Sequence, residues 1–217
     1  MYVEIDLPEV PVPDAIANYW LDYFFSGSLS QNYQINALAS TYMRLVEAAI
    51  VEYRMGSAAL REVWTNHRSL GLGPMHRSIS HFESCLSDMH RATNAYHRLR
   101  RHKAMDPLSM FLAEEKPGFA TDTIAKQLRL VRDGIHHLEE MVVEGRVGEG
   151  QPIALKPDGP EVPHPTEPGQ TVKTLDRLVI GDRQVTFRNV SAWLGEMSAA
   201  AAKISQFQPN RSQVPSL

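Results

Sequence analysis

Cysteine is almost missing from this sequence. Cys85 is the only one among 217 residues, so there is no intrachain disulfide framework, and the composition suits a reducing, cytoplasmic compartment. Long apolar runs are missing as well. Nothing approaches the roughly 18–20 consecutive apolar residues of a membrane-spanning helix, so no membrane association is expected. The N-terminal stretch MYVEIDLPEVPVPD has neither a basic n-region nor an apolar h-region, and no secretory signal is expected from it. No P-loop, GxGxxG or GxSxG pattern occurs, which removes support for nucleotide-fold and hydrolase-elbow chemistry. HExxH and HxxxH are absent too. A large charge of one sign is also lacking: the net charge is −3, and information lies in how the charge is distributed.

What is present is helical periodicity. Pro-rich residues lead to Asp14, which reads as the N-cap of a short aromatic helix over 15–25, stopped by Ser26-Gly27. A long helix follows over 30–67, its apolar face marked by Ile35, Leu38, Tyr42, Leu45, Ala49, Leu60, Val63 and Trp64, with a weak point at Gly56-Ser57. Gly71-Leu72-Gly73-Pro74 breaks the chain, and Pro74 suits the first turn of a third helix over 74–104. There Met75, Ile79, Phe82, Leu86, Met89, Thr93 and Tyr96 recur at spacings of four and three, a seam for a partner helix in the same chain or another. Asp106-Pro107 and Lys116-Pro117-Gly118 bracket a loop with a short helix. Thr121 or Asp122 then caps a helix over 121–143, whose seam is Ile124, Leu128, Val131, Ile135, Leu138 and Val142.

After Glu144 glycine and proline dominate, and the stretch PDGPEVPHPTEPGQ reads as an exposed loop. Val172–Ile180, Gly181-Asp182 and Arg183–Phe187 read as a β-hairpin with glycine first in a tight turn, and Ile153-Ala154-Leu155 adds a short strand. A last helix over 189–207 buries Val190, Trp193, Leu194, Met197, Ala201 and Ile204. Residues 208–217 read as a disordered tail. The expectation is a mainly α protein: one domain over 1–207, an amphipathic helical bundle with a small β-hairpin insertion before the last helix.

Charge is uneven along the chain. Residues 74–104 carry a net +4 and residues 139–182 a net −5. The basic run Arg98, Arg100, Arg101 and Lys103 either attracts phosphates or favours the C-terminal end of its own helix dipole. Nine histidines raise the question of a metal. His76, His90 and His97, with Glu83, stand seven residues apart on one stripe of the third helix, about 10 Å between successive members by helix rise. Ligands of one ion must converge within a few ångströms, so the stripe reads as solvated or interfacial, and no metal or cofactor is expected. Cys85, without an activating neighbour, reads as a structural thiol.

One motif stands apart: Arg132-Asp133-Gly134-Ile135-His136-His137. On a continuous helix Arg132 and His136 share a face and His137 lies about a quarter turn further. Gly134 weakens the helix there, which lets His137 approach Arg132. A guanidinium holds a phosphate bidentately and an imidazole moves a proton near neutral pH. The ordinary reading is an arginine and a histidine satisfied by carboxylates of the bundle.

An arginine, a polar residue and then a histidine late in an amphipathic helix resemble the signature of the HEPN superfamily. The context LRLVRDGIHHLEEMV is similar to that family's style, over residues about 30–143. The resemblance implies a dimeric, metal-independent endoribonuclease that leaves a 2′,3′-cyclic phosphate and a 5′-OH, of a toxin–antitoxin, antiviral or RNA-processing kind. Under it His137, or His136, is the acid–base group, Arg132 binds the scissile phosphate, and Asp133 orients one of them. RNA phosphates would lie along Arg98, Arg100, Arg101, Lys103 and Arg129. The expected partners are a second copy, an RNA substrate, and an antitoxin or operon partner protein. The alternative is a non-catalytic helical module that binds protein or RNA.

Overall fold

The computed structural model describes residues 2–11, 14–26, 29–65, 73–103, 106–147, 153–156 and 160–207. It is mainly helical. Helices α1 (Asp14–Ser26), α2 (Tyr33–Thr65), α3 (Gly73–Arg100), α4 (Pro107–Glu114), α5 (Asp122–His136), α6 (Leu138–Val143) and α7 (Phe187–Ser205) surround six short strands. The expected stop at Gly27, the helix end at His67, the break at Gly71-Leu72, the third helix's end at Ala104, the loop residues 157–159, the side chain of Trp64 and the tail 208–217 lie outside the described residues.

The antiparallel pair α2–α3 is the spine. Ile35, Tyr42, Met43, Val46, Ala49 and Ile50 of α2 meet Phe82, Leu86, Met89, Ala92 and Tyr96 of α3, all at most 2% exposed. The expected weak point in α2 is where the two helices come closest. A Cβ on Gly56 would stand 3.1 Å from the Phe82 ring, and Ser78 donates to the Gly56 carbonyl at 2.8 Å. Here glycine trades intrinsic helix stability for close packing. Helix α7 crosses this pair: the buried Tyr42 hydroxyl donates to Met197 O at 2.8 Å, and the Phe82 and Phe187 rings lie 4.7 Å apart. Helix α5 runs antiparallel to α3 on its other side, with Leu128 and Val131 buried. The α3 seam is thus covered within the chain and by itself gives no ground for a second copy, and the α5 seam is covered as far as Leu138, while Val142 at its end is 49% exposed.

The cap expected at Thr121 is present, and a further one stands at Asp106. Thr121 accepts from Ile124 N at the start of α5. Asp106 accepts from Leu108 N at 2.9 Å to start α4, with Pro107 in the first turn. The second Asp106 oxygen takes the Ser30 hydroxyl, and Asn36 clasps Ser30 through both its amide atoms. Asp106 and Ser30 are each 9% exposed and Asn36 7%, so this knot ties the start of α4 to the start of α2.

The β region is larger than one hairpin. Strands β2 (Ile153–Lys156), β5 (Arg177–Ile180) and β6 (Arg183–Thr186) form one antiparallel sheet in the order β2-β5-β6. Its hairpin turns at Gly181 with φ +58°, the positive φ that favours glycine. A second sheet has the order β1-β4-β3, where the N-terminal β1 (Tyr2–Ile5) pairs parallel with β4 (Thr171–Leu175), and β3 (Glu161–Pro163) pairs antiparallel with it. The single strand expected over 172–180 is split at Asp176, where the chain passes between sheets. The Arg177 guanidinium bonds both Asp176 oxygens at 2.7 and 3.0 Å and holds that carboxyl below its usual range. Residues 160–170 of the Pro-rich stretch are exposed as expected, apart from half-buried His164, but part of this segment is strand. Tyr2 donates to Glu167 at 2.6 Å and its ring lies 4.6 Å from that of His164.

Replacing Asp106 with alanine removes the α4 cap and leaves Ser30 unpaired in a buried knot. A loss of about 2 kcal/mol is expected, read as a lower urea midpoint at unchanged slope, with Asp106→Asn retaining much of the stability. An unchanged midpoint in Asp106→Ala would show that the knot contributes nothing.

Candidate functional site

Helix α3 has a second stripe beside its apolar one: Glu83, Ser87, His90, Asn94, His97 and Arg101, again at spacings of four and three. Its C-terminal part faces α5. Arg101 approaches Asp122 to 3.9 Å at the α5 N-terminus. Eleven residues back, the His90 ring feels the charges of Arg132, Asp133, Arg129 and His136. An antiparallel helix pair thus sets imidazoles and cations against each other along one seam. His90 Nε2 and Asn94 Nδ2 are 3.1 Å apart. The Nδ1 atoms of His90 and His97 are buried without a hydrogen-bond partner among the described residues. Burial lowers the pKa of both rings; the cation Arg132 adds to this for His90, and Arg101 and Arg100 for His97. The two rings are therefore held neutral near pH 7, the state that can accept a proton. At the other end of the stripe, burial raises the Glu83 carboxyl.

The motif lies at the break between α5 and α6. His137 leaves helical geometry with φ −110° and ψ 22°, while its N–H still bonds Asp133 O. The opening expected at Gly134 therefore occurs three residues later. Gly134 itself is buried in α5 under the β5–β6 hairpin, and a Cβ there would stand 3.4 Å from Ile180. Arg132 Nη1 bonds Asp133 Oδ1 at 2.9 Å, with the two side chains 38% and 40% exposed. His137 Nδ1 meets Glu140 Oε2 at 3.2 Å and is 52% exposed. His136 is exposed. No hydrogen bond or ion pair joins Arg132 to either His136 or His137 among the described residues. Asp133 takes one of the five guanidinium donors, so a solvent-reachable fork remains for another acceptor.

The basic residues divide. Arg129 is exposed on α5 and its charge reaches His90. Arg98, Arg101 and Lys103, with Gln34, Leu38, His97 and His102, line an open groove of about 580 Å³ between the start of α2 and the end of α3. Arg100 is half-buried and is not among the residues that line that groove, though its charge reaches Tyr96 and His97. Among the described residues, no three His, Cys, Asp or Glu side chains gather to hold a metal ion. Cys85 is fully buried and burial pushes its thiol up, the opposite of an activated nucleophile. No helix among the described residues is long and apolar enough to cross a membrane.

Sequence reasoning passed over His90. Its signal was the seven-residue repeat that it shares with His97 and Glu83, read as solvated or interfacial because such spacing cannot chelate. No family model, curated protein or solved structure matches the chain.

Two outcomes follow from the seam. His90 and His97 titrate below their ordinary value near 6.5, so the unfolded chain binds protons that the folded chain refuses. Stability should be independent of these rings above pH 6.5 and fall as pH drops through the lowered folded values. The double substitution His90→Gln, His97→Gln should flatten that fall in urea unfolding from pH 7 to 5; an identical slope would contradict their buried, neutral state. Gly134→Ala should raise stability by about 0.5–1 kcal/mol, seen as a higher Tm, because the space exists and the backbone is helical. A large loss would show that the hairpin cannot accommodate a methyl group.

Proposed function

We propose that this chain is a HEPN-like, metal-independent endoribonuclease, dimeric as the resemblance implies. The observation that supports this best is the solvent-reachable break between α5 and α6, where Arg132, Asp133, His136 and His137 share the end of one helix beside the neutral His90. Val142 and Val143, 49% and 87% exposed, are apolar side chains next to that break which a second copy would cover.

The chemistry needs few groups. The ribose 2′-OH is an internal nucleophile already adjacent to the phosphate, so orientation is supplied by the substrate. His137 takes the 2′-OH proton as the oxygen attacks phosphorus. Arg132, held by Asp133, binds the phosphate oxygens and stabilises the charge that grows on them. The P–O5′ bond breaks, the leaving oxygen takes a proton from a second imidazole, and the products are a 2′,3′-cyclic phosphate and a 5′-OH. The partner copy's motif would provide that acid.

A second reading has its own observation. Arg132 and His137 each pair with a carboxylate of their own segment, at 2.9 and 3.2 Å, and not with each other, which suits a non-catalytic RNA- or protein-binding module. Mutation separates the two. His137→Ala should lower the cleavage rate of single-stranded RNA about 10²–10⁴-fold, and Arg132→Ala comparably. Both should keep the wild-type circular dichroism because neither side chain is part of the buried core, and His136→Ala should be mild. DNA of the same sequence should stay intact for want of the 2′-OH, and chelator should have no effect. Loss of activity with chelator would refute the mechanism, and loss in His136→Ala with survival in His137→Ala would transfer the role to His136. A folded wild-type protein that cleaves no RNA would leave the binding module.

A further inference from the structure

We propose that the groove between the start of α2 and the end of α3 receives one unpaired nucleotide of an RNA strand whose scissile phosphate lies at Arg132; this rests on the ribonuclease reading above. The groove combines features that a nucleotide matches. Leu38, half-buried and packed on the core, is apolar. The planar rings of His97 and His102 stand with it, and the Gln34 amide oxygen lies 3.1 Å from His102 Nε2. Around these stand Arg98, Arg101 and Lys103. A base offers an apolar π-face to the leucine and imidazoles, an edge to the amide, and a phosphate to the cations. The volume of about 580 Å³ is in the range of small-ligand sites.

Charge favours an anion here. Among the described residues the four cations of this helix end, Arg98, Arg100, Arg101 and Lys103, have one carboxylate within ion-pair distance. That is Asp122, 3.9 Å from Arg101 and 96% exposed. Such a cluster repels itself until an anion neutralises it.

Position favours the same strand that reaches the motif. His97 and Arg101 belong both to the groove wall and to the α3–α5 seam. From Arg101 to His90, which feels Arg132, is eleven residues of helix, about 16 Å at 1.5 Å per residue. A stacked strand that rises about 3.4 Å per nucleotide along its axis covers that in roughly five nucleotides, and an extended one in fewer. A base in a duplex has both faces and its pairing edge occupied, so the groove selects unpaired RNA.

The test measures binding by fluorescence anisotropy with the full-length protein. The probe is a labelled single-stranded RNA bearing 2′-methoxy groups, which cannot be cleaved, alongside a duplex of the same sequence. Leu38→Ala and His102→Ala should each weaken single-strand binding about tenfold while leaving the slope of log affinity against log salt unchanged. Arg98→Ala should reduce that slope by about 0.7. Wild-type affinity in both Leu38→Ala and His102→Ala, with folding verified by circular dichroism, would overturn the groove assignment, as would equal affinity for the duplex. Displacement of the strand by poly-glutamate at matched charge would assign the groove to an acidic protein partner instead. Wild-type cleavage of RNA is read separately: groove variants that bind and cleave normally refute the groove and keep the ribonuclease. Leu38-dependent binding without wild-type cleavage refutes the ribonuclease and keeps the groove.

Discussion

The rest of the structure depends on the close approach of two long antiparallel helices at Gly56, where the Phe82 ring lies 3.1 Å from the place a Cβ would occupy. With that contact made, one face of α3 is committed to α2 and α7. Phe187 packs tilted against Phe82 at 4.7 Å, and Phe119 meets Tyr96 at 5.1 Å. Dispersion and apolar burial along this line supply most of the favourable free energy in such a fold. The face of α3 that remains is polar, and α5 closes over it.

A seam built for stability alone would be apolar there. Two imidazoles whose Nδ1 atoms are buried without partners among the described residues cost about 1–3 kcal/mol each by the usual penalty for an unsatisfied polar group. Cations on both helices add to that cost. Departures of this kind from a fold's own packing rules gather where a protein meets a ligand, and the ligand that offsets this charge pattern is an anion. The motif at the α5–α6 break and the groove at the α3 terminus are two ends of the same seam.

Much of the helical architecture was legible because it is local. The seams of Phe82, Leu86 and Met89 and of Leu128 and Val131, the cap at Thr121, and the turn at Gly181 each carry their signal within a few residues. What was hidden depends on distant partners. Nothing in Tyr2–Ile5 announces parallel pairing with Thr171–Leu175, and nothing in the Pro-rich stretch announces that Glu161–Pro163 completes that sheet. One glycine read as a weakness, Gly56 under Phe82, is a close-packing position, because a missing side chain does not say what fills its place. The motif was visible as letters. Its neighbour His90 was not, because heptad spacing reveals a stripe but not which helix covers it.

Under the proposed function, the α3–α5 seam and the α5–α6 break form one phosphate-binding surface. Histidine side-chain NMR tests it directly. The full-length protein, labelled at the imidazole nitrogens, is titrated at constant pH with a single-stranded RNA carrying 2′-methoxy groups. The account predicts that the ring resonances of His90, His97, His136 and His137 shift together with one apparent affinity, while those of His76 and His164, which lie away from the seam, stay in place. Shifts confined to other histidines, or separate affinities at the two ends of the seam, would contradict it.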